Sequence, residues 1–226
     1  MHVFRGRAGD VAADRSVTRR LVERAVGGEP GVRVWRPHRQ LAFGPRDRRC
    51  DGYERAREIA ADRGFEPTER AVGGRAVAFT GRTVAFARVE PIEEGRRSLD
   101  ERYAEARVDL REALARLGVD AERGEPDHSF CPGTQSLQVD GRKVAGLAQR
   151  VERHTATVAG IVVVAEHEAI ADVLEPVYDA LDLDFDPETV GSVERAGGTA
   201  DPVSVIQAIE DALVGDHLGT VEWVGE

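Results

Sequence analysis

Lysine is almost missing from this chain. Of its 31 basic residues thirty are arginine, and the sole lysine is Lys143. The two cations are not equivalent: an ammonium is a compact point charge whose pKa moves on burial, whereas a guanidinium is a planar fork that stays charged. A position that keeps lysine where every other basic site has arginine is a candidate for chemistry that needs a small ammonium. Cysteine is scarce too. Cys50 and Cys131 are the only two, which excludes a disulfide framework, and two thiols alone do not complete a structural zinc site. Each is either a small buried hydrophobe or a reactive thiol. The longest apolar run, Val158 to Ala165, is too short to cross a bilayer. Met1-His2-Val3-Phe4-Arg5 lacks the apolar stretch of a signal peptide. These absences predict a cytoplasmic protein with no membrane partner.

Bases also fall short of acids, 31 against 41, for a net charge of −10. A general nucleic-acid binder needs a basic footprint, so nucleic acid is excluded as a partner. Acid excess with lysine depletion predicts a halophilic source, where screening over ~3 Å at about 1 M salt leaves surface ion pairs little to contribute. At 226 residues and 41% hydrophobic content the chain can bury a sizeable core. No linker, repeat or low-complexity segment divides it, so one domain over residues 1–226 is expected. The six histidines are scattered without metal-ligand spacing, and no metal site is predicted.

Periodicity supplies the elements. Apolar residues at Val17, Leu21, Val22, Ala25 and Val26 predict an amphipathic helix over 12–26. Further helices are predicted over 52–63, 99–117, 167–181 and 202–214. Strands are predicted at 32–35, 41–43 and 155–165, the last a long apolar strand buried on nearly both faces. Ala76 to Phe79 and Thr83 to Ala87 flank Thr80-Gly81-Arg82 and predict a hairpin. A second hairpin is predicted where Gln135 to Val139 meets Lys143 to Arg150 across Asp140-Gly141. The pattern predicts an α+β fold, with helices flanking a mixed or antiparallel sheet.

Three segments could carry chemistry. In Arg70-Ala71-Val72-Gly73-Gly74-Arg75-Ala76-Val77 the glycine pair permits close backbone approach to a ligand, and its amides could cradle an anion or developing oxyanion beside Arg70 and Arg75; such a pair is also an ordinary turn. In Ser129-Phe130-Cys131-Pro132-Gly133 the cysteine sits in a turn, where reactive groups are commoner than in cores. Spacing permits Cys131 to meet Lys143 across the second hairpin. In Gly141 to Arg150 the small residues Ala145, Gly146 and Ala148 leave room beside the strand for an acyl chain whose carbonyl points at Lys143.

These segments, in this order, resemble the lipoate–protein ligase and octanoyltransferase superfamily. Arg70 to Val77 is similar to its Arg-rich Gly-Gly-x-Ala-Val segment, and Gly141 to Gln149 to its Gly-x-Lys-x-Ala/Ser-Gly-x-Ala-Gln segment. Phe130-Cys131-Pro132-Gly133 resembles the Cys-Pro-Gly segment of the branch that moves octanoyl or lipoyl groups from the glycine-cleavage H protein to other acceptors. Phe79-Thr80 stands where many ligases have His-Asp, and Val72 where a Ser or Thr is usual. The resemblance implies Cys131 as the residue that forms an acyl thioester and Lys143 as the contact to the acyl carbonyl. It implies Arg70, Gly73, Gly74, Arg75, Ala76, Ala145 and Gly146 around the substrate, with lipoyl-domain acceptors and the H protein as partners and no cofactor required. Two alternatives remain open: an ATP- and Mg²⁺-dependent lipoate–protein ligase without an obvious accessory domain, and a carrier acylated on Lys143 itself.

Overall fold

The structure, a computed structural model, describes residues 1–70, 73–92 and 98–225. Its strands are β1 (His2–Arg5), β2 (Gly31–Trp35), β3 (Gln40–Phe43), β4 (Glu66–Glu69), β5 (Val77–Phe79), β6 (Thr83–Pro91), β7 (Glu122–Arg123), β8 (Ser136–Val139), β9 (Arg142–Val151), β10 (Thr155–Val163) and β11 (Thr220–Trp223). Its helices are α1 (Val11–Val26), α2 (Tyr53–Asp62), α3 (Leu99–Arg116), α4 (His167–Ala180) and α5 (Pro202–Val214). Eight strands form one sheet in the order β11-β1-β2-β6-β10-β9-β8-β7, and β4-β3-β5 form a second, smaller one. Parallel pairing joins β1 to β11 and to β2, while the run from β2 to β7 is antiparallel. The result is the α+β arrangement of mixed sheets and flanking helices that the patterning predicts.

Local chemistry accounts for most boundaries. α3 starts at a capping box, in which the Glu101 amide donates to Ser98 Oγ and the Ser98 amide donates back to the Glu101 carboxylate. α5 begins with Pro202 after Asp201, whose carboxylate accepts from the Val203 and Ser204 amides. The β8–β9 turn has Asp140 at φ 50° and Gly141 at φ 72°, the two positive values that a two-residue turn of this hand needs.

One expectation fails. β5 and β6 do not form a hairpin: β5 pairs with β3 in the small sheet, while β6 lies between β2 and β10 in the large one. The Thr80-Gly81-Arg82 segment is a turn, but a turn fixes only a local reversal, and each flanking strand finds a better-matched partner elsewhere. Patterning also gave no sign of the short strands β1, β7 and β11.

Two cores result. Under α3 and α5, Leu110, Leu114, Val205 and Ile209 pack on Val84, Phe86, Ala145 and Val162. Between α2, α4 and the small sheet, Leu41, Phe43, Ala56, Leu174, Val177 and Tyr178 pack with Phe130, Ile161 and Val163. The small sheet is thus held beside β10, and the loop carrying Cys131 is anchored at its base by Phe130.

Candidate active site

A cavity of about 400 Å³ opens between the two sheets. Its floor follows from register. Ile161 on β10 lies between Gly146 on β9 and Ala85 on β6, and Ala159 lies beside Ala148. Residues paired across adjacent strands share a face, so a patch dominated by small side chains is laid down where larger ones would fill the space. Phe79, Phe130, Tyr103 and Trp35 are among the larger walls. Among the cavity-lining residues, Gly73, Pro132, Gly133 and Thr134 are exposed and mark the mouth.

A bulge aims β9 into this cavity. Gln138 opposes Lys143 and Leu137 opposes Ala145, so Val144 has no opposite number. Strict alternation would put Lys143 and Gly146 on opposite faces; one extra residue changes the parity. Lys143 and Gly146 both border the cavity, while Val144 and Ala145 pack in the core beneath α3 and α5.

Cys131 stands at the cavity wall, with φ 45°. Side chains rarely adopt that conformation, and here both backbone groups of the residue are held. Its amide donates to Tyr178 Oη at 2.6 Å, and its carbonyl accepts from Lys143 Nζ at 2.9 Å. The Tyr178 hydroxyl donates in turn to the Ala76 carbonyl at 3.0 Å, tying the cysteine loop to the glycine-rich segment. Burial, above all, raises the Tyr178 pKa well above its ordinary value, so the hydroxyl keeps the proton it donates. Two donors reach the sulfur: Arg70 Nη2 at 3.1 Å and the Arg75 amide at 3.4 Å.

Lys143 is 1% exposed. Its ammonium donates to Glu125 Oε1 at 2.9 Å, to the Phe130 carbonyl at 2.9 Å and to the Cys131 carbonyl at 2.9 Å, which occupies all three hydrogens. Burial lowers its pKa, opposed first by the Glu125 carboxylate. Glu125 also accepts from Ser129 Oγ. An ammonium so enclosed is not presented for acylation, which removes the carrier reading of this residue.

The glycine-rich segment is fixed from behind. Asp47, fully buried, accepts from the Gly44 amide at 2.7 Å and from Arg75 Nη1 at 3.3 Å. Burial raises its pKa, opposed by those two donors. The Arg75 side chain therefore runs back to Asp47 while its amide faces Cys131. A Cβ on Gly44 would lie 1.9 Å from the Gly74 carbonyl oxygen. Gly74 has φ 108°, and a Cβ there would lie 2.6 Å from Cys131 Sγ and 2.7 Å from Arg70 Nη2.

The residues singled out by sequence thus separate into groups. Cys131, Lys143, Arg70, Gly73, Gly74 and Gly146 border one cavity. Arg75 and Ala76 contribute backbone groups to the site, and Ala145 lies in the core. Ala71 and Val72 lie outside the described residues. Cys50 packs against the core on the α2 side, 3.7 Å from Arg75 Nη1. Sequence reasoning missed Tyr178, Glu125 and Asp47. Only Tyr178 left a signal, since a tyrosine on an apolar helix face needs a partner for its hydroxyl.

The family model described as lipoyl protein ligase A/B catalytic domain matches residues 10–213. Among curated relatives, an octanoyl-GcvH:protein N-octanoyltransferase from Exiguobacterium sibiricum is 29% identical over 119 residues, 53% of this chain and 43% of its own length. One from Kyrpidia tusciae is 33% identical over 144 residues, 62% of this chain and 47% of its own length. The chain spans about half the length of the curated relatives it matches. Among solved structures, lipoate-protein ligase A bound with ATP superposes with a TM-score of 0.77 at 15% identity, covering 100% of this chain and 89% of that one. A putative lipoate protein ligase from T. acidophilum with bound lipoic acid gives 0.71 at 15% identity, with 100% and 89% covered. At such identities the likeness is one of fold. With the family model matching most of its length, the chain belongs to the lipoyl protein ligase A/B catalytic domain family.

Proposed function

We propose that this member of the lipoyl protein ligase A/B catalytic domain family transfers an octanoyl or lipoyl group to the acceptor lysine of a lipoyl-domain protein through a thioester on Cys131. The observation that carries the reading is the position of Cys131 Sγ: on the wall of an apolar-floored cavity, between Arg70 Nη2 and the Arg75 amide. The relatives named for octanoyl transfer from GcvH supply the substrate class. The glycine-cleavage H protein is then a donor, and lipoyl-domain proteins are acceptors.

In the first step the Cys131 thiolate attacks the carbonyl carbon of the donor's acyl group. The donor's own heteroatom leaves with the bonding pair and takes up a proton, and the thioester forms. In the second step the ε-amine of the acceptor lysine attacks that thioester. The carbon–sulfur bond breaks, the amine loses a proton, and an amide forms as the thiolate returns. Splitting one amide exchange in two lowers each barrier. The Arg70 guanidinium and the Arg75 amide, fixed in advance, are the nearest donors for charge developing on the acyl oxygen. Lys143 acts as a positioning residue, drawing the Cys131 carbonyl inward, and meets the acyl group itself once a carbonyl displaces one of its acceptors. The route requires no metal and no nucleotide. We place it in the cytoplasm of a salt-adapted cell.

Incubation with octanoyl and lipoyl thioesters, with and without ATP and Mg²⁺, tests this. Intact-mass analysis should show one acyl adduct on the wild type and none on Cys131→Ser. A fully active Cys131→Ser protein, or ATP-dependent use of the free acid with no adduct, would replace the thioester route by an acyl-adenylate one.

A further inference from the structure

One side of the cavity mouth carries an arginine cluster that the acyl chemistry does not use. Arg107 on α3 donates to Gln135 Oε1 at 2.5 Å, and Arg123 on β7 donates to the Thr134 carbonyl at 3.2 Å. Gln135 and Thr134 both line the cavity. Arg111, one turn along α3 from Arg107, donates to the Ala121 carbonyl at 2.8 Å. All three are thus anchored by neutral acceptors. Among the described residues none of them has a carboxylate at ion-pair distance, although this chain carries a net charge of −10.

Several arginines elsewhere are matched, although Arg82 and Arg142 also donate to carbonyls. Arg88 meets Glu105 and Asp109 of the same helix α3, Arg102 meets Glu90, and Arg24 meets Glu29 and Glu222. The acids beside the cluster are turned to other partners: Glu112 to Arg116, Glu122 to the Gln138 side-chain amide. Arg107 accordingly has its pKa lowered by burial first, then by Arg123 and Arg111. A like-charge cluster left unneutralised in an acidic protein is held ready for a negative partner.

The spread of the cluster favours a protein surface over a bound phosphate. The three residues are spread along one helix turn and a neighbouring strand at the cavity rim. Val108, 50% exposed, is on the same turn of α3 and offers an apolar contact. Resting on the acyl-transfer reading above, we infer that the Arg107, Arg111 and Arg123 face of the mouth is the docking surface for an acidic acceptor protein, which presents its target lysine to Cys131 from that side.

The test separates the two half-reactions. Wild type and Arg111→Glu/Arg123→Glu are first acylated with octanoyl-N-acetylcysteamine, a small neutral thioester that needs no docking surface. Each acyl-enzyme is then given a lipoyl-domain acceptor with acidic residues flanking its lysine, or the same domain with those acids changed to arginine. Adduct formation should be equal in both proteins. At low ionic strength the KM for the acidic acceptor should rise about tenfold in the variant, with kcat little changed, and the arginine-flanked acceptor should reverse that preference; added salt should shrink both effects. Arg111→Gln/Arg123→Gln, which adds no negative charge, should give a smaller rise, and equal melting temperatures confirm that both variants fold. A KM unchanged for both acceptors would overturn the docking surface and leave acyl transfer standing. So would a defect confined to octanoyl-coenzyme A as donor, which would assign the cluster to phosphate. Absence of a wild-type adduct would instead sink the acyl-transfer reading, and the docking surface with it.

Discussion

Replacing Tyr178 by phenylalanine deletes one oxygen atom from a side chain that is 1% exposed and leaves its volume nearly unchanged. That oxygen accepts from the Cys131 amide and donates to the Ala76 carbonyl. Without it, both backbone groups lose their partner in a site with little access to water. An orphaned buried group costs about 1–3 kcal/mol. Two of them, less the relieved desolvation of the hydroxyl itself, give a loss of about 2–4 kcal/mol. That is a large share of a typical stability of about 5–15 kcal/mol. In urea the midpoint should fall by about 1 M. The kinetic effect should be larger in proportion. Cys131 sits at φ 45°, a conformation that persists only where its surroundings impose it, and the hydroxyl is one of the two clamps. A sulfur displaced by about 1 Å costs on the order of 10²-fold in rate. Single-turnover acylation followed by intact-mass analysis measures this directly. Tyr178→Phe with an unshifted urea midpoint and an acylation rate within about twofold of wild type would refute the clamp.

Gly74→Ala should abolish adduct formation in the same assay, because its Cβ would fall 2.6 Å from Cys131 Sγ on a backbone at φ 108°. Ala159→Leu should shorten the accepted acyl chain while sparing short thioesters, since Ala159 belongs to the cavity floor; a wild-type length profile would contradict that floor. Lys143→Met should destabilise the fold by about 1–3 kcal/mol, since the Phe130 and Cys131 carbonyls lose their donor while Glu125, 21% exposed, can turn to water, and a calorimetric melt within error of wild type would contradict it. Lys143 also predicts a pH effect. Burial lowers its folded pKa below the ordinary 10.5, so on raising the pH the folded state releases this proton before the unfolded state does. Its contribution to stability should therefore rise with pH between the lowered value and 10.5, the cost being fully present below both. The difference between wild type and Lys143→Met across that window isolates this contribution.

Much of the site was legible because its signals are local. The scarcity of lysine pointed to Lys143, a cysteine before Pro-Gly to Cys131, and a glycine pair to the segment facing them. Asp140-Gly141 set the β8–β9 hairpin, and the helix spans followed from periodicity and caps. The misread hairpin at Thr80 to Arg82 shows the limit of such signals. Turn residues fix a reversal, whereas the choice of partner strand depends on segments tens of residues away.

The amino-acid sequence by itself determined which groups could react and in what order they occur, since thiol, ammonium and glycine flexibility are properties of single residues. Only the tertiary structure decided how those groups are placed. It buried Lys143 against Glu125 and two carbonyls, so that the ammonium positions the cysteine loop. It brought Tyr178, 47 positions along the chain, onto the Cys131 amide. A single unpaired residue, Val144, reversed the parity of β9 and turned Gly146 toward the cavity in place of Ala145. The first two depend on contacts between segments apart in the chain and the third on the register within a hairpin, none of which the local pattern of residues encodes.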